Sequence, residues 1–121
     1  MGLEVGLFIS DDPDDYQVFQ EAIDEIPRDI VLINIADSKK ALRYLKNSHA
    51  LPDYLFIDLT MSDSYASLLG ALSTDSHLRN IPKIALVDGE DRAGVDSQFF
   101  LIDKTADFAE LKDELRRFFK A

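Results

Sequence analysis

Pro52-Asp53-Tyr54-Leu55-Phe56-Ile57-Asp58-Leu59-Thr60-Met61 is the stretch on which the reading of this chain turns. Tyr54 to Ile57 are four consecutive apolar or aromatic residues, the composition of a strand buried on both faces. They run directly into Asp58, and no apolar-periodic helix starts right after it. A carboxylate in that position is hard to explain as a helix cap or a solvated turn.

On either side of this run, short apolar segments alternate with helix-period segments. Upstream, Val5-Gly6-Leu7-Phe8-Ile9 reads as a buried strand that stops at Ser10-Asp11-Asp12-Pro13. Asp12 can cap a helix with Pro13 at its first position. That helix carries Val18, Phe19, Ala22, Ile23 and Ile26 on one face, and Pro27 ends it. Residues 30–36 form the second strand, and Asp37-Ser38 caps a helix whose apolar face is Ala41, Leu42 and Leu45. Downstream of Asp58, a loop over 59–64 leads to a helix carrying Leu68, Leu69 and Leu72. Ile81-Pro82 opens a fourth strand over 84–87, and a fifth over 99–102 ends at Asp103-Lys104. The last helix has an Asp107…Glu110 capping-box spacing and an apolar face of Phe108, Leu111, Leu115, Phe118 and Phe119.

No Gly/Ser/Pro-rich linker and no internal repeat divides this pattern. It predicts one α/β domain over residues 1–121, with an open parallel five-stranded sheet and helices on both faces. Between Val87 and Phe99 the chain barely has the roughly 10–12 residues that a crossover with its helix needs. That interval holds two Gly, and Ala93 and Val95 are its only apolar residues, so its helix is expected to be a single turn or absent.

The totals narrow the function classes. The chain has 121 residues, 46% of them apolar, and a net charge of -10. An acidic surface repels nucleic-acid phosphates and anionic membranes, so neither is an expected partner. It suits a divalent cation or a basic protein patch. The absence of Cys excludes disulfides and thiolate chemistry. The apolar runs are far too short for a bilayer, and Glu4 interrupts any leader-like start, which points to a cytoplasmic protein. His49 and His77 read as surface residues.

In an open parallel sheet, function collects at the carboxyl ends of the strands. This chain places Ser10, Asp11 and Asp12, then Asp58, then Val87 and Asp88, then Asp103 and Lys104 at those ends. If the first and third strands are neighbours, Asp11 and Asp58 converge, with Asp12 either a third ligand or a helix cap. Clustered carboxylates repel one another, and Mg²⁺, which favours carboxylate oxygens plus water, relieves that repulsion. A carboxylate beside Mg²⁺ can also act as a nucleophile toward phosphorus. Taken singly, Asp11 serves equally well as a turn residue and Lys104 as a solvated lysine. The combination carries the chemical reading.

The order of these residues, over nearly the whole chain, resembles the receiver domain of two-component response regulators. Phe8-Ile9-Ser10-Asp11-Asp12-Pro13-Asp14-Asp15 resembles that family's acidic stretch. The run from Pro52 to Met61 resembles its phosphoacceptor strand and following Asp-x-x-Met, and Ile81-Pro82 is typical of its fourth strand. The resemblance implies a flavodoxin-like sheet of order 2-1-3-4-5. It implies that Asp58 is the phosphoacceptor, that Asp11 and the Thr60 backbone carbonyl ligate Mg²⁺ with it, and that Lys104 contacts the phosphoryl group. The phosphodonor would be a histidine kinase or a phosphotransfer protein. With no output domain after the last helix, action through a downstream protein partner is expected.

The departures from the family pattern are specific. Aligned on the first strand, the family's first acid falls on Ser10 and its second on Asp11, which leaves Asp12 as an extra acid. Ser62 replaces the usual Pro, and Thr105 replaces the Pro after the Lys. Val87 replaces the hydroxyl residue that hydrogen-bonds the phosphoryl group, and Asp88 replaces a small residue. The switch aromatic falls on Leu101, with Phe100 one place early and facing the other way. Three readings follow: a phosphorylatable receiver that is not an enzyme, a non-switching pseudo-receiver that binds a partner regardless of phosphorylation, and a small Mg²⁺-dependent hydrolase.

Overall fold

Each strand forms where the sequence supplies a short β-branched or aromatic run bounded by turn residues. A computed structural model describes residues 2–47, 50–60, 66–88 and 99–120. The elements are β1 (Glu4–Ile9), α1 (Pro13–Asp24), β2 (Ile30–Ile35), α2 (Ser38–Asn47), β3 (Tyr54–Asp58), α3 (Ala66–Thr74), β4 (Lys83–Val87), β5 (Phe99–Asp103) and α4 (Phe108–Lys120). The strands are parallel and ordered β2-β1-β3-β4-β5, as the resemblance implies. The interval that was expected to hold a reduced helix lies, apart from Asp88, outside the described residues, as do Met61, Ser62 and His49. Among the described residues no helix is long and apolar enough to cross a membrane.

Side-chain alternation along the strands feeds two cores. Phe8, Phe56, Ile84, Leu86 and Ile102 pack with Phe19, Ile23, Leu111, Leu115 and Phe119 beneath α1 and α4. Leu7, Ile9, Leu55, Ile57 and Ala85 pack with Ala41, Leu45, Leu68 and Leu72 beneath α2 and α3. The central strands β3 and β4 are buried on both faces, as their unbroken apolar runs require. β2 is an edge strand and leaves Val31 and Ile33 exposed.

The helix starts follow the sequence signals. Asp12 caps α1 by accepting from the Asp14 amide (2.9 Å), with Pro13 next. Asp37 accepts from the Lys39 and Lys40 amides (2.7 and 3.1 Å), and Asp107 from the Glu110 amide (2.8 Å). Two apolar-face assignments are corrected. Val18 is exposed because it stands about 100° round the helix from its neighbour Phe19, off the buried stripe. Phe108 is also exposed, and its ring instead carries the Lys112 ammonium 5.1 Å from its centroid.

The far edge of the sheet is clamped by one side chain. Arg28 donates to Glu4 Oε1 (2.8 Å), to the Tyr54 hydroxyl (2.9 Å) and to the Phe119 carbonyl (2.8 Å). Tyr54 in turn donates to Glu4 Oε2 (2.8 Å). This cluster ties the start of β1 to the last turn of α4.

Candidate functional site

The register of β1 and β3 pairs Ile9 with Ile57, so the next residues, Ser10 and Asp58, stand side by side at the carboxyl edge. β4 and β5 deliver the third component. The Lys104 amide donates to the Val87 carbonyl (2.9 Å), which fixes where the lysine leaves the sheet. The cap at Asp12 starts α1 so that Asp15 falls in its first turn, above the same edge.

Asp58 is fully buried, and both its oxygens are occupied. Oδ1 accepts from the Thr60 amide (2.9 Å) and the Thr60 hydroxyl (2.6 Å). Oδ2 accepts from the Ser10 hydroxyl (2.9 Å) and the Lys104 ammonium (3.2 Å). A carboxylate offers about four acceptor positions, so protein donors fill its shell. Ser10 Oγ also accepts from the Asp12 amide (3.2 Å), which sets the direction of its hydroxyl. Lys104 reaches further, to Asp15 Oδ2 at 2.6 Å.

These contacts decide the charge state. Burial pushes the Asp58 carboxyl up, but the Thr60 hydroxyl and amide, the Ser10 hydroxyl and Lys104 together hold it below the ordinary carboxylate value. Burial pulls Lys104 down, and Asp15 and Asp58 more than reverse it. At neutral pH the centre is therefore an ion pair of Asp58⁻ and Lys104⁺, with Asp15 on the other side of the ammonium and Ser10 and Thr60 as neutral donors.

The structure thus brings together Ser10, Asp58, Thr60 and Lys104. Asp11 is exposed just beyond β1. Of the two roles open to Asp12, the structure shows the cap. Val87 is buried and its side chain has no donor to offer, while Asp88 is exposed. Leu101 packs with the α2/α3 core, and Phe100 with the opposite one, as the alternation in β5 dictates. Asp15 was missed by sequence reasoning. It stands three residues beyond the cap Asp12, at the end of an acidic run that reads as helix-start chemistry, and only the tertiary approach of β5 to α1 reveals its partner.

Among the described residues no three His, Cys, Asp or Glu side chains gather into a metal cage. Mg²⁺ rarely uses such a cage, since one or two carboxylates plus water and substrate oxygens suffice. The donors that the resemblance implies, the Asp11 and Asp58 carboxylates and the Thr60 carbonyl, are hard oxygens of the type Mg²⁺ uses, and an ion on Asp58 would take the place of one of its protein donors.

No protein-family model matches the chain, and no curated protein matches it in sequence. Solved structures do match it. It is similar to a response regulator in red light signaling of R. palustris, with 19% identity over 95% of this chain and 90% of that one, at a TM-score of 0.80. It is similar to the chemotaxis response regulator CheY4 of Vibrio cholerae, with 15% identity over 97% and 99% of the two chains, at a TM-score of 0.74. A Mn²⁺-bound response regulator matches with 18% identity over 94% and 90%, at a TM-score of 0.75. The fold is that of the response-regulator receiver domains.

Proposed function

We propose that this chain is a receiver of two-component signalling that accepts a phosphoryl group on Asp58. One observation carries the reading: a buried, ionised aspartate at the carboxyl edge of a parallel sheet with a lysine ammonium on its Oδ2. In the step itself, an Asp58 carboxylate oxygen forms a bond to phosphorus while the donor's bond to phosphorus breaks. The donor's imidazole or carboxylate leaves, and an acyl phosphate remains. Lys104 would then face the new phosphoryl oxygens. A Mg²⁺ ion held by Asp11, Asp58 and the Thr60 carbonyl would supply charge neutralisation. A similar fold is known in a Mn²⁺-bound form, which supports a divalent ion here. A histidine kinase or phosphotransfer protein is the proposed donor, and a protein partner the proposed output.

The test is incubation with acetyl phosphate and Mg²⁺, followed by intact mass. One added phosphoryl group, absent in Asp58→Asn, is expected. No adduct, or an adduct that survives Asp58→Asn, overturns the reading.

A second reading has its own support. Val87 offers no hydroxyl at the end of β4, where the family binds the phosphoryl group. A chain that accepts phosphate yet cannot report it is a pseudo-receiver, binding its partner equally in both states. Partner affinity that changes on phosphorylation excludes it.

A further inference from the structure

Lys104 sits between two carboxylates, and it is closer to the one outside the phosphoacceptor. Its ammonium lies 2.6 Å from Asp15 Oδ2 and 3.2 Å from Asp58 Oδ2. We propose that Asp15 is a positioning residue for Lys104, holding the ammonium beside Asp58 and ready for a phosphoryl group without letting it close onto the attacking oxygen. The proposal rests on the reading of Asp58 as the phosphoacceptor.

To attack phosphorus, Asp58 must free an acceptor position, and the four donors differ in how readily they leave. Both donors on Oδ1 come from Thr60, two residues along the same chain, so they are held by local backbone geometry. On Oδ2, the Ser10 hydroxyl is held in direction by the Asp12 amide. Lys104 makes the longest of the four contacts, on a flexible stem, and its alternative partner is already engaged. Moving it off Oδ2 therefore leaves no unpaired buried charge. Asp15 can act as a fixed anchor because the Asp12 cap and Pro13 set the first turn of α1. Without the Asp15 charge, the largely buried ammonium keeps its contact with Asp58, and the lysine closes onto the nucleophile.

The rival account makes Asp15–Lys104 a plain strut between α1 and β5. Two readouts on the full chain separate the accounts. In ¹H–¹⁵N spectra of the lysine ammonium groups, the protected Lys104 signal should persist in Asp58→Asn, held by Asp15, and should persist at a shifted position in Asp15→Asn, where the ammonium closes onto Asp58. Loss of the signal in Asp58→Asn, or an unshifted signal in Asp15→Asn, overturns the proposal. With acetyl phosphate and Mg²⁺, Asp15→Asn should lower the maximal phosphorylation rate about tenfold at an unchanged half-saturating concentration, and Asp15→Glu should restore it. A wild-type rate in Asp15→Asn, or no rescue by Glu, also overturns it. If the wild-type chain takes up no phosphoryl group, the receiver reading fails, while the ammonium spectra still decide what holds Lys104.

Discussion

Ser10 donates a 2.9 Å hydrogen bond to Asp58 across the boundary between β1 and β3. A neutral hydroxyl stands where the family resemblance leads one to expect an acid, and it stabilises the ionised carboxylate directly. Ser10→Ala removes one donor from a buried anion. Destabilisation of about 1.5–3 kcal/mol is expected, measured as a lowered urea midpoint at neutral pH. An unchanged midpoint would mean that water or another group replaces the hydroxyl without loss.

Restoring an acid there should change the response to metal. Ser10→Asp sets a second carboxylate against Asp58, and the repulsion is relieved when a divalent cation binds. The variant should be less stable than wild type without Mg²⁺ and gain more thermal stability from added Mg²⁺. Equal Mg²⁺-induced shifts in the two proteins would show that position 10 does not face the ion.

Gly6 lies in β1 where the neighbouring side chains close over the strand. A Cβ there would meet Leu32 Cδ2 at 2.8 Å and Phe56 Cε1 at 3.1 Å. Gly6→Ala should therefore destabilise the fold by about 1–3 kcal/mol through overpacking. Leu32→Val shortens the nearer obstacle, so in denaturant titrations the double variant should lose less than the sum of the two single changes. Strict additivity would place the strain elsewhere.

The fold was legible because its signals are local. Apolar runs of strand length, Pro13, and the Asp12, Asp37 and Asp107 caps each act within a few residues. Asp58 was legible for the same reason, as an acid ending an apolar run. Asp15 and the clamp at Arg28 were not, since each depends on elements far apart in the chain. Lys83, ahead of the apolar run over 84–87, opens β4 and is buried, with its ammonium donating to the Arg79 and Ile81 carbonyls at 2.9 and 2.8 Å. No periodicity announces a lysine that folds back onto its own chain. Val18 and Phe108 failed in the other direction, as apolar residues that fall off the buried stripe.

The clamp gives a pH signature. The hydrogen bond from the Tyr54 hydroxyl, together with the Arg28 contacts, outweighs burial and holds the Glu4 carboxyl below its ordinary value of 4.5. A depressed carboxylate contributes stability above the unfolded-state value, and that contribution fades as pH falls through the folded-state value. Wild type should exceed Glu4→Gln in urea midpoint at pH 7, and the two should converge as the pH drops well below 4.5. A gap that persists in acid would assign the effect to packing.

Arg28 holds both Glu4 and the Phe119 carbonyl. The first strand therefore begins, and the last helix ends, within reach of one guanidinium, on the side of the sheet away from Asp58. A short tether could join them and the backbone be reopened in the turn after α3, giving a circular permutant with the same sheet. In such a molecule the point of attachment to anything else moves, while the aspartate, its lysine and their surroundings stay where they are.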